Sequence, residues 1–453
     1  MNMGQNTTKW VYVILALITL FGLQLRLKTI SYAEVDTPVR ADAKGYLVYA
    51  INMKAFNVYS RSEDAIQGKV AKPIPDAFRP PGYPLFLRLF IGDSVTDKML
   101  YTIELIQALL STLVILLAYA SFAGFLGPPL ALVAALLTAI SPHLVFTNVF
   151  ILSESLFCFL LMLALWTLSQ WKPNSSPWLL LGTGALLAFA SLTRPWTQYF
   201  FVLLIPLMLL HFPLARVRWS ALALAVGMAL PVLCWIGRNL LTLGIVSDNG
   251  MMLSAFYQGH YPGLMYDNRP ETFAYSYRFD PRVAEISASF GAVWAEMRHY
   301  FQKDPVEYIA WYFVGKPFLL LNWDLFEGSG DVFIYPIIRT PYTEFTLFKV
   351  THAFMRYLHE DLVLLAILGS LAAWLPRSWV GMSDSQRFMA RSLSALFVYF
   401  VLVHCILKPE ARYSIPMRPV IYGMAMFALW YGAGLLRRVW PVVAVRLAAP
   451  DGK

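Results

Sequence analysis

Residues 40–50, which read Arg-Ala-Asp-Ala-Lys-Gly-Tyr-Leu-Val-Tyr-Ala, follow directly after the first long apolar run of the chain. Asp42 opens this stretch, and Tyr46, Tyr49 and Ala50 follow at spacings that share one face of a helix. If the preceding run crosses a membrane, the stretch lies at the bilayer surface on the far side. A carboxylate in that position is suited to act on a lipid-linked molecule, so Asp42 is the first candidate for a functional residue.

The composition predicts a polytopic membrane protein. Apolar residues make up 58% of the 453 positions, charged residues 14%, and the mean hydropathy is +0.56. A soluble chain contains about a quarter charged residues. The net charge of +9 is spread along the chain without a long basic run, which argues against nucleic acid as a partner. The cysteines lie inside apolar runs and have neither disulfide-framework nor metal-ligand spacing.

The predicted fold class is an all-α polytopic membrane protein with about 10–12 transmembrane helices. The first span covers residues 10–30 and is expected to remain uncleaved, since no convincing cleavage site follows it. The other apolar runs are 99–125, 128–147, 150–171, 177–193, 195–213, 217–237, 361–376, 388–407 and 412–436.

Two long polar stretches interrupt these runs, at residues 31–98 and 240–360. The positive-inside rule places both termini in the cytoplasm and both stretches outside, most simply at a bacterial inner membrane. The 305–326 segment is apolar but contains charged residues, and we expect it to lie at the interface rather than cross. Residues 1–453 then form one transmembrane unit, and 361–453 supply the last spans and a cytoplasmic tail.

Ionisable residues at the predicted span ends gather on the outer side of the membrane. They are Asp42, Glu154, Arg194, Arg238, Lys408, Glu410 and Arg412. Charges at a membrane boundary are costly and usually pair with each other or serve a site. The alternatives stay open for each residue taken alone, because an Asp or Glu can simply begin a helix and a boundary Arg can extend to lipid head groups.

A set of short motifs suggests a family. They are Asp42-Ala-Lys-Gly-Tyr46, Arg79-Pro-Pro-Gly-Tyr-Pro84, Ser153-Glu154-Ser155, Thr193-Arg194-Pro195, Arg238-Asn239 with Gly244, Tyr257-Gln-Gly-His-Tyr-Pro262, and Glu410-Ala-Arg-Tyr-Ser-Ile-Pro416 with Pro419. Their order resembles that of GT-C glycosyltransferases, of the protein O-mannosyltransferase and aminoarabinose transferase type. The resemblance covers roughly residues 10–262 and 361–436, and it implies a GT-C-like bundle whose two outer loops carry interfacial helices.

The chain departs from that family at two positions. Many relatives have an Asp-Glu pair in the first outer loop, whereas Asp42 is followed by Ala43. His260 stands where the second loop commonly has Asn. The first departure argues against a two-carboxylate metal site built from the first loop alone.

The resemblance implies transfer of a sugar from a polyprenyl-phosphate donor to a lipid, glycan or protein acceptor on the extracytoplasmic face. Asp42 would accept the proton of the acceptor hydroxyl, with Glu154 as a second catalytic carboxylate. The expected ligands of the donor phosphate are Arg194, Arg238, Lys408 and Arg412. The expected substrate contacts are Tyr46, Arg79, Tyr83, Tyr257 and His260. No cofactor is required, although Mg²⁺ or Mn²⁺ shared by Asp42 and Glu154 is an alternative.

Two other functions compete with this interpretation. A transporter or flippase for polyprenyl-linked glycans also needs cations within a bundle, but it typically places polar residues at mid-membrane in broken helices. Here the charges gather at one face. A polymerase of the O-antigen type would use arginine-rich outer loops without a first-loop Asp, so Asp42 argues mildly against it.

Overall fold

The structure, a computed structural model, describes residues 2–448 except 93–94, 265–274, 327 and 377–378. Residues 2–8, 276 and 439–448 are described by their backbone alone. Helices make up most of the described chain. This confirms the predicted all-α class.

Up to residue 243, the chain alternates long helices with short juxtamembrane ones. The helices are α1 (Asn2–Tyr32), α2 (Ala41–Ala55), α3 (Gly82–Arg88), α4 (Asp97–Leu126), α5 (Pro128–Ile140), α6 (Pro142–Phe146), α7 (Glu154–Gln170), α8 (Trp178–Thr193), α9 (Phe200–His211) and α10 (Leu214–Leu243).

The remainder of the chain begins with short helices and ends with three long ones. They are α11 (Gly250–Gly259), α12 (Val283–Ile286), α13 (Phe290–Lys303), α14 (Pro305–Ala310), α15 (Lys316–Leu321), α16 (Pro341–Glu344), α17 (Thr346–Ala372), α18 (Asp384–Ile406) and α19 (Arg418–Ala448). Two short antiparallel strands, β1 (Glu34–Val35) and β2 (Ile337–Arg339), pair across the molecule.

Several of these helices are long and apolar enough to cross a membrane. In the described part of the chain, five pass this test on their own, and they span Lys9–Tyr32, Asp97–Leu126, Leu214–Leu243, Asp384–Ile406 and Ala411–Arg438. The pair α5–α6 adds a sixth if it is counted as one bent span, and α7, α8 and the 195–211 segment are shorter apolar helices. The protein is therefore an integral membrane protein, while the count of 10–12 spans and the orientation stay predictions.

The α5–α6 segment is broken where its sequence requires it. Gly127, at a φ of 81°, ends α4, and Pro128 begins α5 at a position that needs no backbone N–H donor. Ser141 has an extended backbone before Pro142, and the axis bends by 51° there. After the bend, residues 142–153 stay buried within the protein.

The α14–α15 segment presents an apolar side to its surroundings. Val306, Ile309 and Phe313 are exposed at helical spacing, whereas Trp311 and Lys316 on the opposite side are buried. The two helices join through a π-helical turn at residues 311–315. This two-sided pattern suits a helix that lies against lipid, and its interfacial placement remains a prediction.

The prediction for the span at 361–376 was wrong about where the helix begins. α17 begins at Thr346 and runs through the predicted boundary at residue 361. Its first half carries polar residues on one side: His352 and Arg356 contact Asp331, and His359 bonds the carbonyl of Leu321. A search for uniformly apolar segments does not find the amphipathic first half of this helix.

Helices α8 and α10 pack so closely that their backbones touch. A Cβ atom added at Gly184 would lie 2.2 Å from the carbonyl oxygen of Leu224, and one at Gly227 would lie 2.1 Å from that of Leu181. Small residues permit this approach in membrane helices. The contact matters for the site because α8 leads directly into Arg194.

We expect the substitution Gly227→Ala to destabilise the fold by about 1–3 kcal/mol, because the added methyl group overlaps backbone atoms that cannot move aside. The control is Gly237→Ala in the same helix, where a Cβ meets nothing within 4 Å. The free energy of unfolding of that variant should equal that of wild type or exceed it by up to about 1 kcal/mol, because Ala has a higher helix propensity than Gly. Thermal unfolding in detergent measures both, and equal midpoints for the two variants would contradict the packing account.

Candidate active site

Glu154 is held at the top of α7 by the bent segment before it. Gln107 on α4 donates to the carbonyl oxygens of Asn148 (3.1 Å) and Phe150 (2.9 Å), and Ser155 donates to the side-chain oxygen of Asn148 at 2.9 Å. These bonds satisfy the polar groups of a buried irregular segment. Glu154 is completely buried as a result.

Asp42 is placed by an unusual backbone conformation at the start of α2. Ala41 has a φ of 43°, in the left-handed region that non-glycine residues rarely adopt. The hydroxyl of Tyr335 lies 3.4 Å from both the carbonyl oxygen of Arg40, to which it donates, and the amide of Ala43, from which it accepts. Strained residues of this kind concentrate at functional sites.

Five charged side chains from separate parts of the chain form one continuous array. Arg79 Nη2 lies 2.7 Å from Asp42 Oδ1, and Arg412 Nη1 lies 3.0 Å from Asp42 Oδ2. Arg412 Nε also lies 2.5 Å from Glu154 Oε1, which accepts a second bond from Arg194 Nη1 at 2.8 Å. The order is thus Arg79, Asp42, Arg412, Glu154, Arg194, with cations and anions alternating.

The array has one more cation than anion, which sets its electrostatics. Burial alone would raise the pKa of Asp42, but the guanidinium groups of Arg412 and Arg79 hold that pKa well below its usual range. Asp42 therefore remains ionised at neutral pH. Charges that are removed from water persist only when paired, and each carboxylate here has two guanidinium partners.

Arg412 belongs to a short segment that is supported from behind. It lies in a 3-10 turn, Ala411–Met417, just after α18. The buried Lys316 donates to the carbonyl oxygens of Cys405 (2.7 Å) and Leu407 (3.1 Å), at the end of that helix. Its amine thus supplies donors to carbonyl groups that the end of a helix leaves unpaired. Gly259 packs against the same place, since a Cβ there would lie 2.0 Å from the Leu407 carbonyl oxygen.

A cavity of about 530 Å³ opens beside the array. Its lining contains Asp42 and Arg412 from the array, and the pair Lys408 and Glu410, whose charged atoms are 2.6 Å apart. The rest of the lining is Arg40, Ala41, Tyr275, Arg278, Leu319, Leu325, Phe326, Gly328, Ser329, Ile334, Tyr335, Pro336, Ala411 and Tyr413. A chamber with mixed charge and aromatic rings suits a sugar phosphate.

Of the predicted aromatic contacts in the first loop, Tyr46 lies against the array and Tyr83 behind Tyr46. The guanidinium of Arg79 lies 4.7 Å from the centre of the Tyr46 ring. Tyr83 is completely buried, packs edge-on against Tyr46 and donates to Gln107 at 2.7 Å. Tyr83 thus supports the site through packing.

Tyr257 and His260 lie in a separate aromatic cluster. That cluster has Tyr261, Leu264, Tyr277, Trp311 and Leu319 at its core. His260 is buried with its Nδ1 against the carbonyl oxygen of Tyr257, and burial lowers its pKa, so the ring is neutral at physiological pH. The cluster meets the chamber through Leu319. The structure therefore brings neither predicted residue to the chamber wall.

Arg238 is not part of the array. Its guanidinium donates to the carbonyl oxygens of Asp76 (2.8 Å) and Tyr59 (3.2 Å) and lies over the ring of Trp235. It fastens the first loop to the end of α10. We therefore do not assign it to the donor phosphate.

The sequence interpretation missed the 322–336 loop, which forms one wall of the chamber. Asp331 fixes this loop, accepting from Trp323 Nε1 at 2.6 Å and contacting His352 Nε2 at 2.7 Å. Arg356 lies 3.9 Å from the same carboxylate. The run Gly328-Ser-Gly330 marks a turn, but no local pattern in the sequence shows what it faces.

The residues do not fit the alternative of a divalent ion between Asp42 and Glu154. The guanidinium of Arg412 lies between the two carboxylates and occupies an oxygen of each. A divalent cation requires about six oxygen ligands and would compete with three guanidinium groups. Glu154 Oε2 is the one oxygen of the pair without a hydrogen bond in the described part of the chain. A metal here stays a prediction that requires Arg412 to leave.

We expect Asp331→Ala to lower the free energy of unfolding by about 1–3 kcal/mol, since part-buried donors on Trp323 and His352 lose their acceptor. Asp331→Asn keeps an acceptor and should lose less. Asp64→Ala removes an exposed carboxylate, 3.7 Å from Lys69, and serves as the control. Thermal unfolding of the three variants orders them, and a midpoint for Asp331→Ala equal to the control would show that the loop is fixed by other contacts.

Solved structures similar to this chain include several of archaeal oligosaccharyltransferase from Archaeoglobus fulgidus, named AglB in one of them. The complex with an inhibitory peptide and a dolichol-phosphate is 14% identical, with a TM-score of 0.49, and the match covers 99% of this chain and 53% of that one. The complex with Zn and sulfate has 14% identity, a TM-score of 0.47, and coverages of 97% and 51%. The form tethered to an acceptor peptide is 15% identical, with a TM-score of 0.49, and the match covers 96% of this chain and 51% of that one. The chain thus spans about half the length of these structures.

Comparison with protein families gives a more direct result. No curated protein matches the chain significantly. The model of the family described as dolichyl-phosphate-mannose-protein mannosyltransferase matches residues 78–235, a region that contains Arg79, Glu154 and Arg194. This match confirms the predicted resemblance to GT-C membrane glycosyltransferases of the protein O-mannosyltransferase type over residues 78–235.

Proposed function

We propose that the protein transfers a sugar from a polyprenyl-phosphate donor to the hydroxyl group of an acceptor at the outer face of the membrane. The acceptor is a lipid, a glycan or a protein. The observation that carries this proposal is the alternating array from Arg79 to Arg194, which borders a chamber large enough for a sugar phosphate. The family match over residues 78–235 supports the same class of reaction.

The leaving group determines what the cations do. When the bond between the sugar and the phosphate breaks, negative charge develops on the lipid phosphate and needs fixed positive partners. Arg412 and Lys408 line the chamber and supply them, and Arg79 stands on the other side of Asp42. Arg194 contacts Glu154 and holds it in place. Glu154 in turn orients Arg412, because its Oε1 accepts a hydrogen bond from Arg412 Nε at 2.5 Å.

Asp42 is the general base in this proposal. With both oxygens bound by guanidinium groups it is ionised but weakly basic. A donor phosphate that attracts Arg412 and Arg79 weakens both ion pairs, and the pKa of Asp42 then rises toward the range of an effective base. The acceptor oxygen forms its bond to the sugar, its proton passes to Asp42, and the lipid phosphate departs as an anion.

The location of the reaction follows from the predicted orientation. Both termini are cytoplasmic in this proposal, and the chamber opens on the extracytoplasmic side of a bacterial inner membrane. The 31–98 and 240–360 segments then cover the outer face. Accessibility of single cysteines introduced at exposed sites in these segments to a membrane-impermeant thiol reagent tests this orientation.

We expect Asp42→Asn to lower the rate of sugar transfer by about 10²–10⁴-fold, since the amide cannot accept the proton. Purified protein is incubated with radiolabelled polyprenyl-phosphate sugars and membrane acceptors. Donor binding should persist, because Arg412 and Arg79 remain. The control is Asp64→Asn on the exposed part of the first loop, which should transfer at the wild-type rate. Undiminished transfer by Asp42→Asn would remove this residue as the base.

Replacing Arg79 by Gln should shift the acid side of the pH profile. In the free wild-type enzyme the pKa of Asp42 is depressed, so kcat/KM should show no acid limb from Asp42 above about pH 4. Loss of Arg79 leaves burial less opposed and raises this pKa, so the limb moves to higher pH. The stabilising ion pair is likewise present above the unfolded pKa and is lost as pH falls through the folded pKa.

The matched control for this profile is Arg88→Gln, an exposed arginine in the same loop. Its pH dependence should coincide with that of wild type. If kcat/KM of Arg79→Gln also shows no acid limb between pH 4 and 8, the expected shift of the Asp42 titration is contradicted.

A further inference from the structure

One arginine in the chamber has a different environment from the others. Arg40 lines the cavity two residues before Asp42, yet its guanidinium has no ion-pair partner in the described part of the chain. Arg412 is paired with Asp42 and Glu154, and Lys408 with Glu410. The carboxylates of the chamber are thus already engaged by other cations, and Arg40, an exposed residue, lines the cavity without such a partner in the described part of the chain.

The backbone holds Arg40 in this position at a cost. The left-handed conformation of Ala41, at a φ of 43°, separates Arg40 from Asp42 and turns the chain so that both line the same cavity. A non-glycine residue in this region costs on the order of 1–3 kcal/mol. Such a conformation persists only where surrounding contacts enforce it.

Tyr335 supplies those contacts. Its hydroxyl donates to the carbonyl oxygen of Arg40, and its ring centre lies 5.7 Å from the Arg40 guanidinium carbon. Burial raises the pKa of this phenol to about 12, so it remains a hydrogen-bond donor at physiological pH. The aromatic face orients the guanidinium without neutralising it, which leaves its N–H donors available.

We propose that Arg40 is a further anion-binding residue of the chamber, which binds a phosphate group of a substrate apart from the array. The inference rests on the proposed function and deepens it by assigning a phosphate contact besides Arg412 and Lys408. A guanidinium fork matches phosphate oxygens in geometry and charge. Because Arg40 need not release an internal carboxylate first, it can take up the phosphate before the array rearranges.

The test compares Arg40→Gln and Arg40→Lys with wild type in two measurements. The first is the affinity for polyprenyl phosphate alone, without sugar, and the second is the KM of the acceptor at saturating donor. Arg61→Gln is the control, since Arg61 is an exposed first-loop arginine that stacks on Phe78 outside the chamber. Arg40→Gln should either weaken the binding of polyprenyl phosphate or raise the acceptor KM, by about 10- to 100-fold. Arg40→Lys should recover part of the loss.

The two measurements identify the source of the phosphate. Weaker binding of polyprenyl phosphate assigns Arg40 to the donor, and a raised acceptor KM with unchanged donor affinity assigns it to a phosphate on the acceptor. Unchanged values in both, or an equal loss in Arg61→Gln, overturn the inference. If wild type neither binds polyprenyl phosphate nor transfers sugar from it, the proposed function itself fails, and this outcome is distinct from the others.

Discussion

The buried carboxylate of Glu154 is the constraint around which the rest of the site is arranged. An ionised group with no contact to water is tolerated only if cations reach it. Two do so, Arg194 from the end of α8 and Arg412 from the turn before α19. Arg412 then extends to Asp42 on α2, and Asp42 to Arg79 before α3. Segments more than 300 residues apart in the chain are thereby held in one place.

This arrangement makes the resting site nearly self-neutralised. Asp42 and Glu154, the carboxylates of the proposed reaction, are both bound by Arg412, which also takes part in it. A phosphate ligand changes the partners rather than adding to vacant groups, so ligand binding and activation of Asp42 are one electrostatic event in the proposed reaction. The same logic explains why a metal between Asp42 and Glu154 fits poorly: its charge would repel three guanidinium groups and gain only two carboxylates.

The sequence predicts depth in the membrane better than position around the bundle. Asp42, Glu154, Arg194 and Arg412 are all predicted at span ends on one side, and the structure brings these four together. Arg238 satisfies the same depth criterion but lies against Tyr59 and Asp76, because hydropathy contains no information about which helices are neighbours.

Two other features were beyond a reading of local patterns. The first half of α17 is amphipathic, and on its polar side His352 bonds Asp331 and His359 bonds the carbonyl oxygen of Leu321. A prediction from hydropathy therefore assigns this half of the helix to a polar loop. The wall formed by residues 322–336 depends on contacts with α17 and α19, including the bond from Arg418 to the carbonyl oxygen of Asn322, and no short stretch of sequence encodes them.

The small sheet formed by β1 and β2 has a mechanical consequence. It joins the residues just ahead of Asp42 to those just after Tyr335, and Asp36 adds a further backbone bond to Pro336. The two walls that these strands continue into are therefore one rigid frame. Parting these walls to admit a bulky acceptor would rupture the main-chain hydrogen bonds between them.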